Sequence, residues 1–235
     1  MGEGGGDTVA ATARDTMLKV FNFRVILEYL PLYMKCFWAT IWLSGLSIVG
    51  ALLVGTLACA MRLSRSRLLT NAAGCYIESI RSTPLLAQIY FLYFGLPSLG
   101  FRISEEVTGV IALTLNSGAY MAEIIRAGIL SVPYGQIEAG MATGLSYLMR
   151  MRYILLPQAI GATIPPLLGQ AIVLVKDSAL LSLISIAELT RAGQMLTSER
   201  FMPAEAFLTT AVLYLMIYYV LKGLSEWWQK RLIFR

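Results

Sequence analysis

The chain of 235 residues has no histidine and only three cysteines, Cys36, Cys59 and Cys75, which stand far apart. These absences remove the commonest general base and the H-E-x-x-H zinc helix, and they leave no ligand set at metal-binding spacing. No metal and no cofactor is expected. A phosphate loop of the form G-x-x-x-x-G-K-S/T is also missing, so the chain is not expected to be an enzyme that hydrolyses nucleotide itself. Charge is scarce too, at 14% of residues against roughly a quarter in soluble domains. The start, MGEGGGDTVAATARD, has no apolar stretch of the kind a cleaved signal needs, and reads as a disordered tail over residues 1–15. Residues 16–235 then form one membrane domain.

Apolar residues make up 57% of the chain and its mean hydropathy is +0.67, which places it among all-α integral membrane proteins. A crossing of about 30 Å needs roughly 20 mainly apolar helical residues. Five segments approach that length. Phe37 to Met61 is uncharged. The residues before it, Thr16 to Lys35, mix Lys19, Arg24 and Lys35 with Phe, Val, Ile and Leu, a pattern that predicts a separate interfacial amphipathic helix. The second span, about Leu69 to Pro97, should kink at Pro84. The third runs from about Val107 to Ile125. The fourth, Tyr153 to Val175, contains Pro157, Pro165 and Pro166 and is not expected to be one straight helix. The apolar piece Ala179 to Ala187 is too short to cross and reads as a re-entrant or half-helix continuation. The fifth is Ala206 to Leu221, extended by Lys222 and by Trp227 and Trp228 at the interface. Ser47, Ala51, Gly55 and Cys59 recur every four residues, a small-residue stripe suited to close packing inside the bundle.

Five spans put the termini on opposite faces. Arg62, Arg65, Arg67, Arg126, Arg150, Arg152, Lys222, Lys230, Arg231 and Arg235 gather on one of them, which the positive-inside rule makes cytoplasmic, with the N-terminus outside. The net charge of +5 lies beside apolar spans, where anionic lipid headgroups rather than nucleic acid account for it.

Between the third and fourth spans lies YGQIEAGMATGLSYLMRMRYILLPQAI, Tyr134 to Ile160. Ser131-Val132-Pro133 offers a helix start, and Ala139 with Ala142, and Gly140 with Gly144, repeat at helical spacing. Glu138 sits where the helix dipole favours negative charge. Such a helix lets a partner's backbone approach closely. At membrane depth the ionisable residues Glu78, Arg81, Glu123, Lys176 and Asp177 are costly, by at least ~2.5 kcal/mol each on insertion scales. They are candidates for the substrate pathway, and Glu78 and Arg81, three apart, could pair. A self-sufficient secondary transporter would also accommodate such charges, although no internal repeat is evident.

Several stretches carry a resemblance. Glu138-Ala139 to Gly144, followed by Ile154 to Pro157, resembles the EAA loop of the membrane subunits of ABC import systems. ESIRSTPLLAQIYFLYFGLP, Glu78 to Pro97, is similar to the R-G-T-P-L-L-x-Q segment of the polar amino acid uptake branch, as are Ser117 to Gln136 and Leu174 to Thr190. The likeness covers roughly residues 20–230. Ser82 stands where the branch usually has Gly, and Gly140 where a second Ala is expected. The resemblance implies a type I ABC importer permease fold in a bacterial cytoplasmic membrane. Its implied partners are a second permease copy or paralogue, a cytosolic ABC ATPase dimer, an extracytoplasmic binding protein and a polar amino acid. It implies that the loop is a cytoplasmic coupling helix, with Tyr134, Gln136, Glu138, Ala139, Gly140, Ala142 and Gly144 as the ATPase-coupling residues.

Overall fold

Every regular element between residues 22 and 233, the range described by this computed structural model, is a helix. The expected tail over residues 1–15 lies outside that range. In chain order the elements are α1 (Arg24–Arg62), α2 (Arg67–Arg81), α3 (Leu85–Ser98), α4 (Glu105–Leu130), α5 (Tyr134–Ala142), α6 (Tyr147–Ile184), α7 (Leu189–Arg200) and α8 (Pro203–Ile233). Helix is the expected outcome for a chain in lipid, because it satisfies the backbone polar groups within each segment.

The 39 residues of α1 would extend about 58 Å at 1.5 Å per residue, beyond the roughly 45 Å of a bilayer with its headgroups. The separate interfacial helix expected before it does not form over the described residues, since Arg24 to Lys35 are the first turns of α1 itself and Pro31 does not end it. The cause is protein contact. Tyr33 and Cys36 are buried with Leu189, Ala192, Leu196 and Ala206, and the Tyr33 hydroxyl donates to the Ala206 carbonyl at 2.9 Å. The alternation of apolar and basic residues there marks the face that packs against α7 and α8.

Chain direction alternates as five crossings require. Gly50 of α1 meets Thr114 and Gly55 meets Gly118, so α1 and α4 run the same way, with α2 and α3 returning between them. Helix α6 opposes α4, since Gly109 faces Leu181, Ser117 reaches Gln170 and Gly128 faces Thr163. Among the described residues three helices, α1, α6 and α8 as far as Trp227, are long and apolar enough to cross a membrane by length and composition. The other two crossings depart from that pattern. The second is interrupted between α2 and α3, and α4 carries Asn116 and Ser117, both buried against other helices.

The small-residue stripe of α1 packs inside the bundle. A Cβ on Gly55 would lie 2.9 Å from the Gly118 carbonyl, and Ala51 and Cys59 are buried beside it. Helix α6 stays helical through Pro165 and Pro166, while a π turn at Met151–Leu155 precedes Pro157 and takes up the extra residue where that proline lacks a donor. The segment expected as a half-helix is the 3₁₀ turn Ser178–Ile184 that finishes α6, closed by Ser185 at φ +67°. Helix α7 is not foreseen in the sequence. Glu188 caps it, accepting from the Thr190 and Arg191 amides at 2.9 and 2.8 Å and from the Tyr214 hydroxyl at 2.7 Å.

Gly55→Ala should destabilise by on the order of 1–3 kcal/mol through overpacking, lowering the thermal midpoint in detergent by several degrees. Gly45→Ala, with nothing within 4 Å of the new methyl, should not lower it. Equal midpoints for the two variants would contradict the close approach of α1 and α4.

Candidate functional site

Two features at the sequence-predicted positions have a defined geometry, a short exposed helix at one end of the bundle and a polar cavity beside the break between α2 and α3. Helix α5 follows Pro133, whose fixed φ and missing N–H suit a helix start. Its far end is closed by a Schellman turn. Gly144 adopts φ +77°, its N–H bonds the Met141 carbonyl at 3.0 Å, and the Leu145 N–H bonds the Gly140 carbonyl at 3.0 Å. Gly144 is thus required by backbone conformation, and the Arg150 guanidinium holds the turn by donating to the Leu145 carbonyl at 2.9 Å.

Gly140 is the buried residue of α5. A Cβ there would meet the tip of Ile154 at 2.7 Å and the Arg150 side chain at 3.3 Å, which accounts for glycine where a second alanine was expected. Gln136 is tied to the next helix by Gln158, whose amide nitrogen donates to Gln136 Oε1 at 2.6 Å. Tyr134, Glu138, Ala139 and Ala142 project outward, and with Met141, Tyr147 and Leu148 they form an uncovered, largely apolar end. Leu148 is 75% exposed.

The polar cavity, about 490 Å³, lies against the break between α2 and α3. Arg81, Asn116, Tyr120, Gln170 and Asp177 are the polar side chains that line it together with Ser82 and Thr83. Of the five ionisable residues singled out in the sequence, the fold brings two, Arg81 and Asp177, to this wall. The others are placed elsewhere. Glu78 does not pair with Arg81 as expected; it pairs with Arg62 at 3.2 Å, while the Arg81 guanidinium lies 5.2 Å from the centre of the Tyr120 ring. Glu123 pairs with Arg126 at 2.7 Å, and Lys176 is exposed. Neither Arg81 nor Asp177 takes part in an ion pair among the described residues.

Sequence reasoning missed the residues that hold the break open. Pro84 lacks the N–H that would reach the Ile80 carbonyl, and Gln88 Nε2 supplies one at 2.8 Å. The same nitrogen reaches the Thr83 carbonyl at 3.2 Å and the Thr83 hydroxyl at 2.8 Å. Gln88 Oε1 accepts from Asn116 Nδ2 at 3.1 Å, linking the broken helix to α4. The spacing of Pro84 and Gln88, four residues apart, was the available signal.

Residues 47–234 match the family described as the binding-protein-dependent transport system inner membrane component. The chain belongs to that family. Among its relatives, this permease is 37% identical over 214 residues to the glutamine transport system permease protein GlnP of Escherichia coli, covering 90% of this chain and 98% of that protein. It is 34% identical over 222 residues to the nopaline transport system permease protein NocM of Agrobacterium fabrum, covering 88% and 91%. A crystal structure of an amino acid ABC transporter with histidines superposes with a TM-score of 0.86 at 36% identity, over 90% of this chain and 99% of that one. An inward-facing structure of the MetNI methionine ABC transporter gives 0.69 at 20% identity, over 86% and 97%, a likeness of fold. The permease therefore has the type I importer fold.

Replacing Gly144 of the permease by alanine forces a side chain into the left-handed region at a cost of roughly 1–2 kcal/mol. Limited proteolysis should cut the variant faster between α5 and α6. An unchanged cleavage rate would show that the turn tolerates another conformation.

Proposed function

We propose that this permease is one membrane subunit of an ATP-driven importer of polar amino acids, with its N-terminus outside and its C-terminus in the cytoplasm. A separate ABC ATPase dimer supplies the energy, a second permease copy or paralogue completes the pathway, and an extracytoplasmic binding protein delivers the solute. The observation that carries this reading is the pairing of two features in one chain: a rigidly closed helix α5 with an apolar, uncovered surround, and a cavity bearing one cation and one anion.

The uncovered end is the surface on which an ATPase would act. Helix α5 is fixed to α6 through Gln136–Gln158, Gly140–Ile154 and Arg150–Leu145, so a displacement applied to α5 is delivered to α6 with little slack. Helix α6 in turn carries Gln170 and Asp177 to the cavity. Tyr134, Glu138, Ala139 and Ala142 are the contact residues in this reading, while Gln136, Gly140 and Gly144 set the helix in place. The clustering of Arg62, Arg126, Arg150 and Arg152 at the same end supports its cytoplasmic assignment.

Arg81 and Asp177 suit a zwitterion, the guanidinium toward a carboxylate and the carboxylate toward an ammonium group. The relatives named for glutamine and nopaline, and the solved amino acid transporter, support that solute class. Arg81, Ser82, Thr83 and Pro84 are exposed in the single chain, and a polar wall at this depth needs a cover other than lipid. A second permease provides one.

In proteoliposomes containing the permease, its ATPase and a loaded binding protein, uptake should require ATP. Arg81→Met and Asp177→Asn should each lower it at least tenfold, a change of about 1.4 kcal/mol or more, whereas Lys176→Met should leave it within about twofold. Concentrative uptake by the permease alone, driven by an ion gradient, would overturn the assignment in favour of a secondary transporter.

A further inference from the structure

The break between α2 and α3 sets more than the path of the chain. Backbone carbonyls only accept hydrogen bonds, so the end of the Gln88 amide that faces the Ile80 and Thr83 carbonyls must be its NH₂ group. Its oxygen is then the end turned to α4. An oxygen there can be met only by a donor, and Asn116 accordingly offers Nδ2, at 3.1 Å. Two amides that could each be flipped in isolation are fixed in sequence by the N–H that Pro84 lacks. Asn116 is 6% exposed and lines the polar cavity, while Gln88 lines a second, apolar cavity of about 370 Å³.

We propose that Gln88 is a positioning residue that fixes the polarity of Asn116, so that Asn116 presents its amide oxygen as an acceptor in the cavity for an N–H donor of the carried solute. The donor is an α-ammonium or a side-chain amide, guanidinium or imidazole N–H. This rests on the reading that the cavity holds the solute. The arrangement gives the cavity an acceptor beside Arg81, which can only donate, and adds to the carboxylate of Asp177 a neutral partner with no charge to desolvate. Without Gln88 the Asn116 amide is free to rotate, and half of its orientations set an N–H against the N–H of the solute.

Equilibrium binding of tritiated L-glutamine to the permease–ATPase complex in nanodiscs, with no binding protein present, tests the proposal. Gln88→Met and Asn116→Leu should each weaken binding about tenfold, the loss of one buried hydrogen bond. The double variant should bind no more weakly than Asn116→Leu alone, because both act through one acceptor. Asn116→Asp places an oxygen at both ends of the side chain, so it should restore binding in the Gln88→Met background. A purely structural defect at the break would not be rescued in this way. Should Gln88→Met fail to fold, ¹⁵N and ¹³C labelling of asparagine in the wild-type complex gives an independent reading. Added L-glutamine should shift the Asn116 carbonyl carbon while its amide protons stay protected.

Undiminished binding by Gln88→Met, additive losses in the double variant, or a solute-induced shift confined to Nδ2 would each overturn the proposal. If Arg81→Met abolishes binding while the Gln88 and Asn116 variants do not, only this inference fails. If the wild-type complex binds none of L-glutamine, L-histidine or L-arginine, the underlying reading of the cavity fails with it.

Discussion

No water is at hand in a bilayer to satisfy a backbone group released from its helix, and the second crossing of this chain is built around that constraint. Pro84 keeps the helix of α2, which ends at Arg81, from continuing into α3 and removes the donor to Ile80. An unsatisfied carbonyl there would cost several kcal/mol. Thr83 and Gln88 repair the loss with side-chain groups: the Thr83 hydroxyl donates to the Ser79 carbonyl at 3.0 Å, and the Gln88 amide covers Ile80 and Thr83. The repair makes the break a fixed feature of the fold, and it places Arg81, Ser82 and Thr83 on the wall of a polar cavity. Buried side-chain hydroxyls without a partner among the described residues are confined to Ser44 and Ser47, on the close-packed stretch of α1.

Helix α5 is shaped instead by its join to α6. The Schellman turn, the glycine against Ile154 and the Arg150 bond close the α5–α6 corner with three different kinds of contact, each supplied by a residue within eleven positions of the others. At the far end of α6, the bond between Gln194 Nε2 and the Ser182 hydroxyl, at 3.2 Å, ties its 3₁₀ turn to α7. Helix α7 is anchored again by its Glu188 cap and by Arg200, paired with Glu28 of α1 at 2.9 Å. Burial pushes the Glu188 carboxyl up from its ordinary range, against the hydrogen bonds of Tyr214 and the two amides. A residue so enclosed acts as a structural cap, at the end of the bundle opposite α5.

The spans, the interruption at Pro84 and the short helix after Pro133 were legible because each rests on local rules, namely hydropathy, the missing proline N–H and the glycine at a helix end. What was not legible depends on which helices meet. Glu78 is three residues from Arg81, yet Arg62, sixteen positions earlier, lies closer because α2 folds back along the end of α1. Arg24 to Lys35 has the composition of a lipid-facing helix, and only the arrival of α7 and Ala206 turns its apolar side into core. Helix α7 itself is too short and polar to signal a span, and its cap, a glutamate, is not among the residues favoured at such positions. Gln88 and Asn116 are 28 apart and neither is charged, so nothing local in the sequence marks them as the pair that completes the break.

The distribution of polar groups also bears on how many chains make one pathway. In the single chain Asn71, Cys75, Glu78, Ser79 and Ser82 are exposed along one side of α2, at spacings of three and four, and this strip leads to the cavity. On α1 the exposed residues at similar spacing are Trp38, Trp42, Leu46, Val49, Leu53 and Leu57, a face suited to acyl chains. Two sides of one bundle thus ask for different surroundings. A transporter complete in one chain would be expected to fold its polar strip inward, as α4 does with Asn116 and Ser117. The outward strip on α2 supports the proposed pathway in which a neighbouring subunit supplies the remaining wall, since charge within a membrane is least costly where it meets protein or water.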